Sequence, residues 1–341
     1  MAKKSLTGLT LSEIEILATE LGMPSFSGKQ ITDWLYKKQV LTIDEMTNLP
    51  LRGREKLKEN YTTGRSSYSQ VQNSADGTRK YLFPVADNKF VETVYIPDKE
   101  RATICISSQV GCKMDCLFCM TGKQKFSAQL SSSEIMNQIL SLPESGQLTN
   151  YVFMGMGEPL DNENELFKTM EILTADYGLA LSPKRITVST VGILPELKRL
   201  LEETHCHVAI SLHSPNHEER LSWMPVEKAF PIEKVIELIK QYDFSHQRRI
   251  SFEYILFGGK NDDRRHARDL ECLLSGIPCR VNLIKYHPIP GVNLPETIVE
   301  NMIPFRDYLS SHGMIATIRA SRGEDILAAC GMLSTKIMNY K

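Results

Sequence analysis

The chain has 341 residues, of which 42% are hydrophobic and 24% charged, and its formal net charge is −1. The length suits a large α/β domain with an accessory module, and the balanced charge excludes a globally basic nucleic-acid binder, so RNA contacts would need local patches. No run reaches the roughly 18 apolar residues of a membrane span and no secretory signal is visible, so we expect a cytoplasmic protein without membrane association, whose cysteines are not structural disulfides.

The first 62 residues are predicted to form a small helical accessory domain. Ser12 and Glu15 have the spacing of a capping box, which predicts a helix from residue 12 to residue 21. The spacing of apolar residues predicts two further helices, over 29–38 and 51–60. The last helix carries basic residues that would either face solvent or contact RNA: Arg52, Arg54, Lys56 and Lys58.

From residue 65 onwards the apolar pattern has a period of two, which predicts strands over 78–84, 89–97 and 102–107. We interpret residues 63–100 as a short β extension that leads into the core.

Strands and helices then alternate. The predicted strands are 151–154, 185–190, 207–212, 250–256 and 280–286, and the predicted helices are 163–175, 195–203, 232–242 and 264–274. One more helix follows a capping box made by Ser131 and Glu134. With strand 102–107 these make six βα units, which predict a parallel sheet over residues 101–320, either doubly wound or closed into a barrel.

The densest chemical signal is the loop after strand 102–107, where Cys112, Cys116 and Cys119 lie close together. Thiols so near in sequence close only small, strained disulfide loops, whereas one loop can present several thiolates to a metal centre. Structural zinc and most iron–sulfur cubanes take four ligands, and no second CxxC pair offers an obvious fourth. A cubane held by three cysteines would keep one iron free for another ligand, and zinc is the alternative. The other unassigned cysteines are expected in the core: Cys206, Cys272 and Cys279.

Polar or glycine-rich residues also follow the later strands. They are Gly157 and Glu158 after the second strand of the core, Ser189 at the end of the third, Ser211, Leu212 and His213 at the end of the fourth, and His287 after the sixth. The carboxyl ends of parallel strands meet at one edge of a sheet, so we expect these residues to share one site with the cysteine loop. Glycines there would let a ligand approach the backbone, and Glu158 could accept a hydrogen bond from an ammonium group.

The CxxxCxxC loop resembles the motif of the radical S-adenosylmethionine (SAM) superfamily. Nearly the whole chain is similar to the RlmN family of radical SAM RNA (adenine-C2)-methyltransferases and to the related Cfr group, which methylates carbon 8. The similar segments are 26–31, 91–94, 102–112, 153–159, 181–185, 211–215, 281–284 and 325–332. The resemblance implies a partial (β/α)6 barrel, a 4Fe–4S cluster ligated by the three loop cysteines, and SAM bound at the free iron near the residues that follow the strands.

The resemblance also implies a two-step methyl transfer that consumes two SAM molecules per turnover. Cys330, in the C-terminal segment 321–341, takes a methyl group from the first SAM as a thiolate. A radical derived from the second SAM activates that methyl group, which then adds to the adenine. Cys105 releases the product through a transient disulfide with Cys330, and Glu92 is expected to remove the proton from carbon 2. A radical route is needed because carbon 2 is electron-poor.

In the family that the chain resembles, the substrates are adenosine 2503 of 23S rRNA and, in some members, adenosine 37 of tRNA. The adenine is expected to be flipped out of its helix. We also expect an electron donor such as flavodoxin or ferredoxin, and a monomeric protein. Clustered basic residues would either contact phosphates or be solvated surface charges: Lys123, Lys125, Lys184, Arg185, Arg248, Arg249, Arg264 and Arg265.

Two residues depart from the family pattern. Met120 stands where a small residue is usual, and His287 replaces an asparagine that contacts SAM, which puts that contact in doubt. Pro159 after Gly-Glu favours carbon 2 over carbon 8. The alternatives are methylation at carbon 8, a radical SAM enzyme of another reaction type, and a degenerate cluster-bearing RNA-binding protein.

Overall fold

A computed structural model describes residues 3–244 and 249–335. The fold is built on a ten-stranded sheet and helices that pack against it, preceded by a helical segment. Among the described helices, none has both the length and the apolar character needed to span a bilayer.

The amino-terminal segment buries Ile14, Ile31 and Leu57 between its helices. It consists of β1 (Lys4–Ser5), α1 (Leu11–Glu20), α2 (Ser27–Thr32), a π-helical turn (Asp33–Lys37), α3 (Leu51–Asn60) and β2 (Tyr61–Thr62), with β1 and β2 paired in parallel. The three predicted helices are present, but the predicted first cap was wrong. Thr10 caps α1 and Glu13 completes the capping box, because Thr10 is the last extended residue before the helix.

The basic residues of α3 are mostly bound within this segment. Arg54 donates to the carbonyl of Asp44 at 2.8 Å, and Lys58 contacts the Asp44 carboxylate at 2.6 Å. Lys56 donates to the carbonyl of Leu21 at 2.6 Å. Arg52 is exposed and remains the best candidate on this helix for a contact with RNA.

The strands of the rest of the chain are β3 (Gln70–Asn73), β4 (Arg79–Val85), β5 (Lys89–Asp98), β6 (Arg101–Cys105), β7 (Gln109–Val110), β8 (Ala128–Gln129), β9 (Asn150–Phe153), β10 (Ile186–Thr190), β11 (His207–Ser211), β12 (Ile250–Leu256), β13 (Cys279–Lys285) and β14 (Ile315–Ile318). Except for the separate β7–β8 ladder, they form one sheet in the order β14-β13-β12-β11-β10-β9-β6-β5-β4-β3. Strands β6 and β9 to β14 run parallel, and β5, β4 and β3 extend the sheet in antiparallel fashion.

The mixed α/β class and the parallel core are confirmed. The sheet is open among the described strands, since its order ends at β14 on one side and at β3 on the other. Two strands of this sheet, β3 and β14, were not predicted. All four residues of β3 are exposed, so it has no buried face to give a period of two, and β14 is a seventh parallel strand of only four residues.

The helices of this part are α4 (Met120–Lys123), α5 (Ser132–Leu140), α6 (Glu163–Thr174), α7 (Leu194–Glu203), α8 (His217–Trp223), α9 (Ile232–Ile239), α10 (Arg264–Leu274) and α11 (Val299–Ser311). The capping box predicted for Ser131 and Glu134 is present at the start of α5. Helices α4, α8 and α11 were not predicted; α11 contains Pro304, a residue that normally ends a helix.

Two of the three cysteines expected in the core are buried less than predicted. Cys206 is fully buried, Cys279 is half-buried and Cys272 is exposed. Helix α10 buries His266, Ala267, Leu270 and Leu274, and this spacing turns Cys272 towards solvent.

Candidate active site

A cavity of about 450 Å³ opens at the carboxyl ends of the parallel strands, which is a usual size for a small-molecule site. All predicted site residues except Glu92 and Leu212 line it: Cys105, Cys112, Cys116, Cys119, Gly157, Glu158, Ser189, Ser211, His213, His287 and Cys330. Leu212 is fully buried, its backbone N–H donates to the carbonyl of Glu253 at 3.0 Å, and its own carbonyl accepts from Arg220 at 3.0 Å.

The cysteine loop is held in a compact conformation. Gly111 has φ +76°, and a Cβ at this position would lie 1.7 Å from the carbonyl oxygen of Lys125, so only glycine fits there. Cys116 is buried, while Cys112 and Cys119 are half-buried and α4 begins directly after Cys119. Burial raises the pKa of Cys112 to about 12, and burial followed by the neighbouring thiols raises the pKa of Cys116. Without a metal the thiols of Cys112 and Cys116 are therefore protonated, whereas a bound metal centre would hold them as thiolates.

The loop after β9 packs against β7, which follows the neighbouring strand β6 along the chain. Gly157 has φ +100°, and a Cβ there would lie 2.5 Å from the Cβ of Gln109. The N–H of Glu158 donates to the side-chain oxygen of Gln109 at 2.8 Å. Glycine at residue 157 therefore allows the loop after β9 to approach Gln109 closely, and it also lines the cavity.

Glu158 is a buried carboxyl group in the cavity wall. It accepts hydrogen bonds from the backbone N–H groups of Leu160 at 3.1 Å and Val191 at 2.9 Å. Burial nevertheless dominates and raises its pKa to about 7. Glu158 is therefore close to its titration point at neutral pH and can gain a full charge beside a cationic ligand.

His213 is a neutral hydrogen-bond donor in the same wall. Its Nδ1 accepts from the N–H of Ile255 at 3.0 Å, which places the ring proton on Nε2. Burial, assisted by the nearby Arg220, lowers its pKa to about 3, so the ring stays uncharged near neutral pH. Glu158 and His213 thus offer an acceptor and a donor, as the ammonium and carboxylate groups of an amino acid require.

Arg220, on α8, was missed by the sequence analysis because its helix was not predicted. Its guanidinium is fully buried, pairs with Glu227 and donates to the carbonyls of Val191 at 3.1 Å and Ser211 at 3.0 Å. It therefore ties the carboxyl ends of β10 and β11 together beneath the cavity.

The thiol expected to carry the methyl group, Cys330, and the thiol expected to release the product, Cys105, face the same space. Cys105 ends β6, and Cys330 lies in the C-terminal loop after a 3-10 turn (Glu324–Ile326). Burial and, to a lesser extent, the neighbouring Cys330 raise the pKa of Cys105 to about 12, while Arg319 acts in the opposite direction. Cys330 is exposed to the cavity. The cavity walls shield its thiol from bulk water and so raise the pKa of Cys330, and Arg319 opposes this shift.

Arg319 was also missed by the sequence analysis. It follows β14, lines the cavity and pairs with Glu253 at 3.2 Å. No local pattern marks an arginine that approaches two thiols from a strand at the edge of the sheet.

The C-terminal loop that carries Cys330 (residues 327–335, the Cys330 loop) is hydrogen bonded to the segment that begins at the third cysteine of the cysteine loop. The N–H of Met120 donates to the carbonyl of Gly331 at 2.8 Å, and the hydroxyl of Thr121 donates to the carbonyl of Leu333 at 2.8 Å. Met120 itself is half-buried outside the residues that line the cavity. Its extra bulk therefore does not enter the space that SAM would need.

His287, the second departure from the family pattern, lines the cavity and its Nε2 contacts the Ser321 hydroxyl at 2.9 Å. Burial lowers its pKa, which favours the neutral ring. One ring nitrogen is thus already engaged by the protein, and a SAM contact from this residue stays a prediction.

Glu92 lies outside the cavity lining, against the C-terminal loop. Its carboxylate is 3.0 Å from the ammonium of Lys80 and accepts from the N–H of Ser334 at 2.8 Å. Burial raises its pKa, and Lys80 opposes that shift. A raised pKa suits a proton acceptor. The C-terminal loop has to shift before the adenine of the substrate could reach Glu92.

The basic residues expected to bind phosphate are divided between the two edges of the sheet. Lys123 and Lys125 are exposed beside the cysteine loop. Lys184, Arg185 and Arg249 precede β10 and β12, so they lie at the edge opposite the cavity and are poorly placed for RNA bound there. Arg264 and Arg265 are exposed at the start of α10, and Arg248 lies outside the described residues.

Two protein-family models match the chain, one over the parallel core and one over the amino-terminal segment. Residues 106–270 match the model of the radical SAM superfamily, and residues 4–62 match the model of the ribosomal RNA large subunit methyltransferase N-terminal domain. The chain is 60% identical over 333 residues to a probable dual-specificity RNA methyltransferase RlmN of Parabacteroides distasonis, covering 98% of this chain and 97% of the relative.

The chain belongs to the RlmN family of dual-specificity RNA methyltransferases.

A more distant RlmN protein, from Syntrophus aciditrophicus, is 41% identical over 345 residues, which cover 100% of this chain and 99% of that protein. The crystal structure of a radical SAM methyltransferase from Sphaerobacter thermophilus superposes with a TM-score of 0.91 at 36% identity, covering 97% of this chain and 99% of that one. The family resemblance and the fold class are therefore confirmed, and the chain is a radical SAM methyltransferase.

The site fits the cofactors that membership of the radical SAM superfamily implies, a 4Fe–4S cluster and SAM. Cys112, Cys116 and Cys119 would hold the cluster at one end of the cavity, and their chemistry is that of iron–sulfur ligands. Glu158 and His213 would face the amino-acid part of SAM. The individual residue roles remain predictions for this RlmN protein.

SAM binding to the cluster-reconstituted protein is expected to tighten about eightfold between pH 6 and pH 7.5. The pKa of Glu158 is about 7, so the group is mostly protonated at the lower pH and mostly a carboxylate at the higher one, where it attracts the SAM ammonium. Equilibrium dialysis at several pH values would measure this change. The variant Glu158→Gln should bind weakly with a flat profile, whereas Glu203→Gln, on the exposed face of α7, should keep the slope. A slope that persists in Glu158→Gln would show that another group titrates.

Proposed function

We propose that the chain methylates carbon 2 of an adenosine in RNA by way of Cys330 and Cys105. The target would be adenosine 2503 of 23S rRNA and also adenosine 37 of tRNA, in keeping with the dual specificity in the names of its relatives. One observation carries the proposal: Cys105 and Cys330 line the same cavity as the three cluster cysteines. A radical SAM enzyme of another reaction type would not need these two thiols.

Each thiol has a distinct role. Cys330, as a thiolate, attacks the methyl carbon of a first SAM and displaces S-adenosylhomocysteine, so that one S–C bond breaks as another forms. The cluster and a second SAM, giving two SAM per turnover, would together supply the radical that removes a hydrogen atom from the Cys330 methyl group. Cys330 then delivers the resulting carbon to the adenine.

Product release balances through Cys105, Cys330 and Glu92. The sulfur of Cys105 bonds to the sulfur of Cys330 as the S–C bond to the nucleotide breaks, and the methylene carbon gains a proton to become a methyl group. Glu92 takes the hydrogen of carbon 2 as a proton. Overall one proton and one electron leave the adduct, and the electron would return to the cluster. An electron donor such as flavodoxin or ferredoxin would keep the cluster reduced in one-electron steps, and two further electrons would reduce the disulfide.

Methylation at carbon 8 is the second candidate. Carbon 2 is favoured by the similarity of Gly157-Glu158-Pro159 to the carbon-2 group, because the carbon-8 enzymes tend to carry alanine in place of the proline. A degenerate RNA-binding protein is disfavoured, since both thiols and all three cluster cysteines are present. We also propose domain boundaries at residues 62, 100 and 320 and a monomeric state for the protein.

The test uses cluster-reconstituted protein under anaerobic conditions with SAM, a reductant and a 23S rRNA fragment whose target adenosine carries deuterium at carbon 2. Mass spectrometry of digested protein and RNA should find a methyl group on Cys330 and on the adenine, with the deuterium lost. A methylated adenine that retains deuterium would assign carbon 8. Absence of a methyl group on both Cys330 and the RNA would overturn the proposal, and a tRNA arm tests the second substrate.

A further inference from the structure

Lys80, on β4, is a buried ammonium group with two partners. Only 8% of its side chain is exposed. Its Nζ lies 3.0 Å from a carboxylate oxygen of Glu92 and donates to the carbonyl of Leu327 at 3.2 Å. A buried charge requires such partners, because an unpaired ammonium would lose its hydration without compensation.

Both partners lead to the Cys330 loop. Leu327 precedes Cys330 by three residues, and Glu92 binds the N–H of Ser334, four residues after Cys330, at 2.8 Å. The Lys80–Glu92 ion pair therefore holds the loop on both sides of its cysteine. Leu327 has φ +55° and Gly331 has φ +82°, so the loop turns sharply between these two attachments.

We propose that Lys80 is a positioning residue that fixes the Cys330 loop and the Glu92 carboxylate as one unit. It reaches the loop from the antiparallel extension of the sheet, in the interval between the residues that match the two family models. The proposal rests on the proposed function only for the roles of Cys330 and Glu92.

Proton transfer to Glu92 would weaken this attachment. A neutral carboxyl group no longer pairs with the Lys80 ammonium, and it accepts a weaker hydrogen bond from the Ser334 N–H. The loop has already shifted when the adenine reaches Glu92, and a protonated Glu92 cannot restore the ion pair, so the loop stays loose at the step at which the sulfur of Cys330 must approach Cys105. Lys80 thus connects proton removal with the movement that releases the product.

The test measures the accessibility and the local opening of the Cys330 loop in the cluster-reconstituted full chain without SAM. Iodoacetamide labelling followed by peptide mass spectrometry gives the alkylation rate of Cys330, and hydrogen exchange is followed in residues 327–335. Lys80→Met should raise both rates at least about tenfold, the effect of losing hydrogen bonds to a buried charge. Lys80→Arg should restore much of the protection, and alkylation of Cys105 should stay unchanged.

Arg79→Met is the matched control, since Arg79 is the preceding residue of β4 and pairs with Glu144 away from the loop. Unchanged rates in Lys80→Met, or equal increases in Arg79→Met, would overturn the proposal. If Lys80→Met does not fold, Glu92→Gln removes the charge of the partner and should raise the same rates; its failure to do so would also overturn it. Neither measurement requires methyl transfer, so loosening of the loop in a protein that does not methylate RNA would reject the proposed chemistry alone.

Discussion

Replacing Cys105 with alanine is expected to leave Cys330 covalently joined to the RNA. The methyl carbon would still bond to the adenine, but no thiol would remain to break the bond between that carbon and the Cys330 sulfur. Among the described residues, the other thiols of the cavity belong to the cluster loop. Turnover should fall on the order of 10⁴-fold, the loss seen when one member of a covalent catalytic unit is removed. A denaturing gel with labelled RNA, followed by mass spectrometry of the Cys330 peptide, would measure both effects.

The controls separate this role from general damage. Cys105→Ala combined with Cys330→Ala should form no adduct, because the carrier is absent. Cys272→Ala, at an exposed position of α10, should turn over normally. Free turnover by Cys105→Ala without an adduct would exclude Cys105 as the resolving thiol.

Replacing Arg220 with methionine is expected to destabilise the fold by about 3–5 kcal/mol, the usual cost of removing one partner of a buried ion pair. The Arg220 and Glu227 side chains are both fully buried. The substitution would leave the Glu227 charge without this partner and would remove donors from the carbonyls of Val191, Ser211 and Leu212. The free energy of unfolding would be measured by urea titration.

Arg199→Met provides the comparison. Arg199 also pairs with two carboxylates, those of Glu163 and Glu203, but its side chain is 37% exposed. Its loss should cost no more than about 1 kcal/mol, as for most exposed pairs. Equal losses in the two variants would show that burial of Arg220 adds nothing to the stability.

The sequence was most informative where the signal is local. The spacing of Cys112, Cys116 and Cys119 depends on one loop, and the capping box of Ser131 and Glu134 depends on one helical turn. The positions of Glu158 and His213 follow from one further rule, that the carboxyl ends of parallel strands share an edge. Each of these features can be derived without knowing which distant segments touch.

Features that depend on distant contacts could not be predicted. Lys80 is separated from Leu327 by most of the chain, and Arg220 acts on the ends of two strands outside its own helix. The location of Glu92 behind the C-terminal loop also emerges only from the folded chain. Helix α11 was not predicted because it contains Pro304, which disfavours a helix. Packing against neighbouring elements, rather than the sequence of α11, keeps this helix intact.

The environments of the two methyl-transfer thiols differ in one mechanical respect. Cys105 belongs to a strand that is paired on both sides, with Val94 on β5 and Val152 on β9. Cys330 has no such ladder and is carried by a turn between two left-handed residues. Displacing Cys105 would break a sheet, whereas displacing Cys330 requires only the exchange of a few hydrogen bonds. In the proposed mechanism Cys105 would therefore stay in place while Cys330 moves, and the rate of disulfide closure would depend on the movement of the loop.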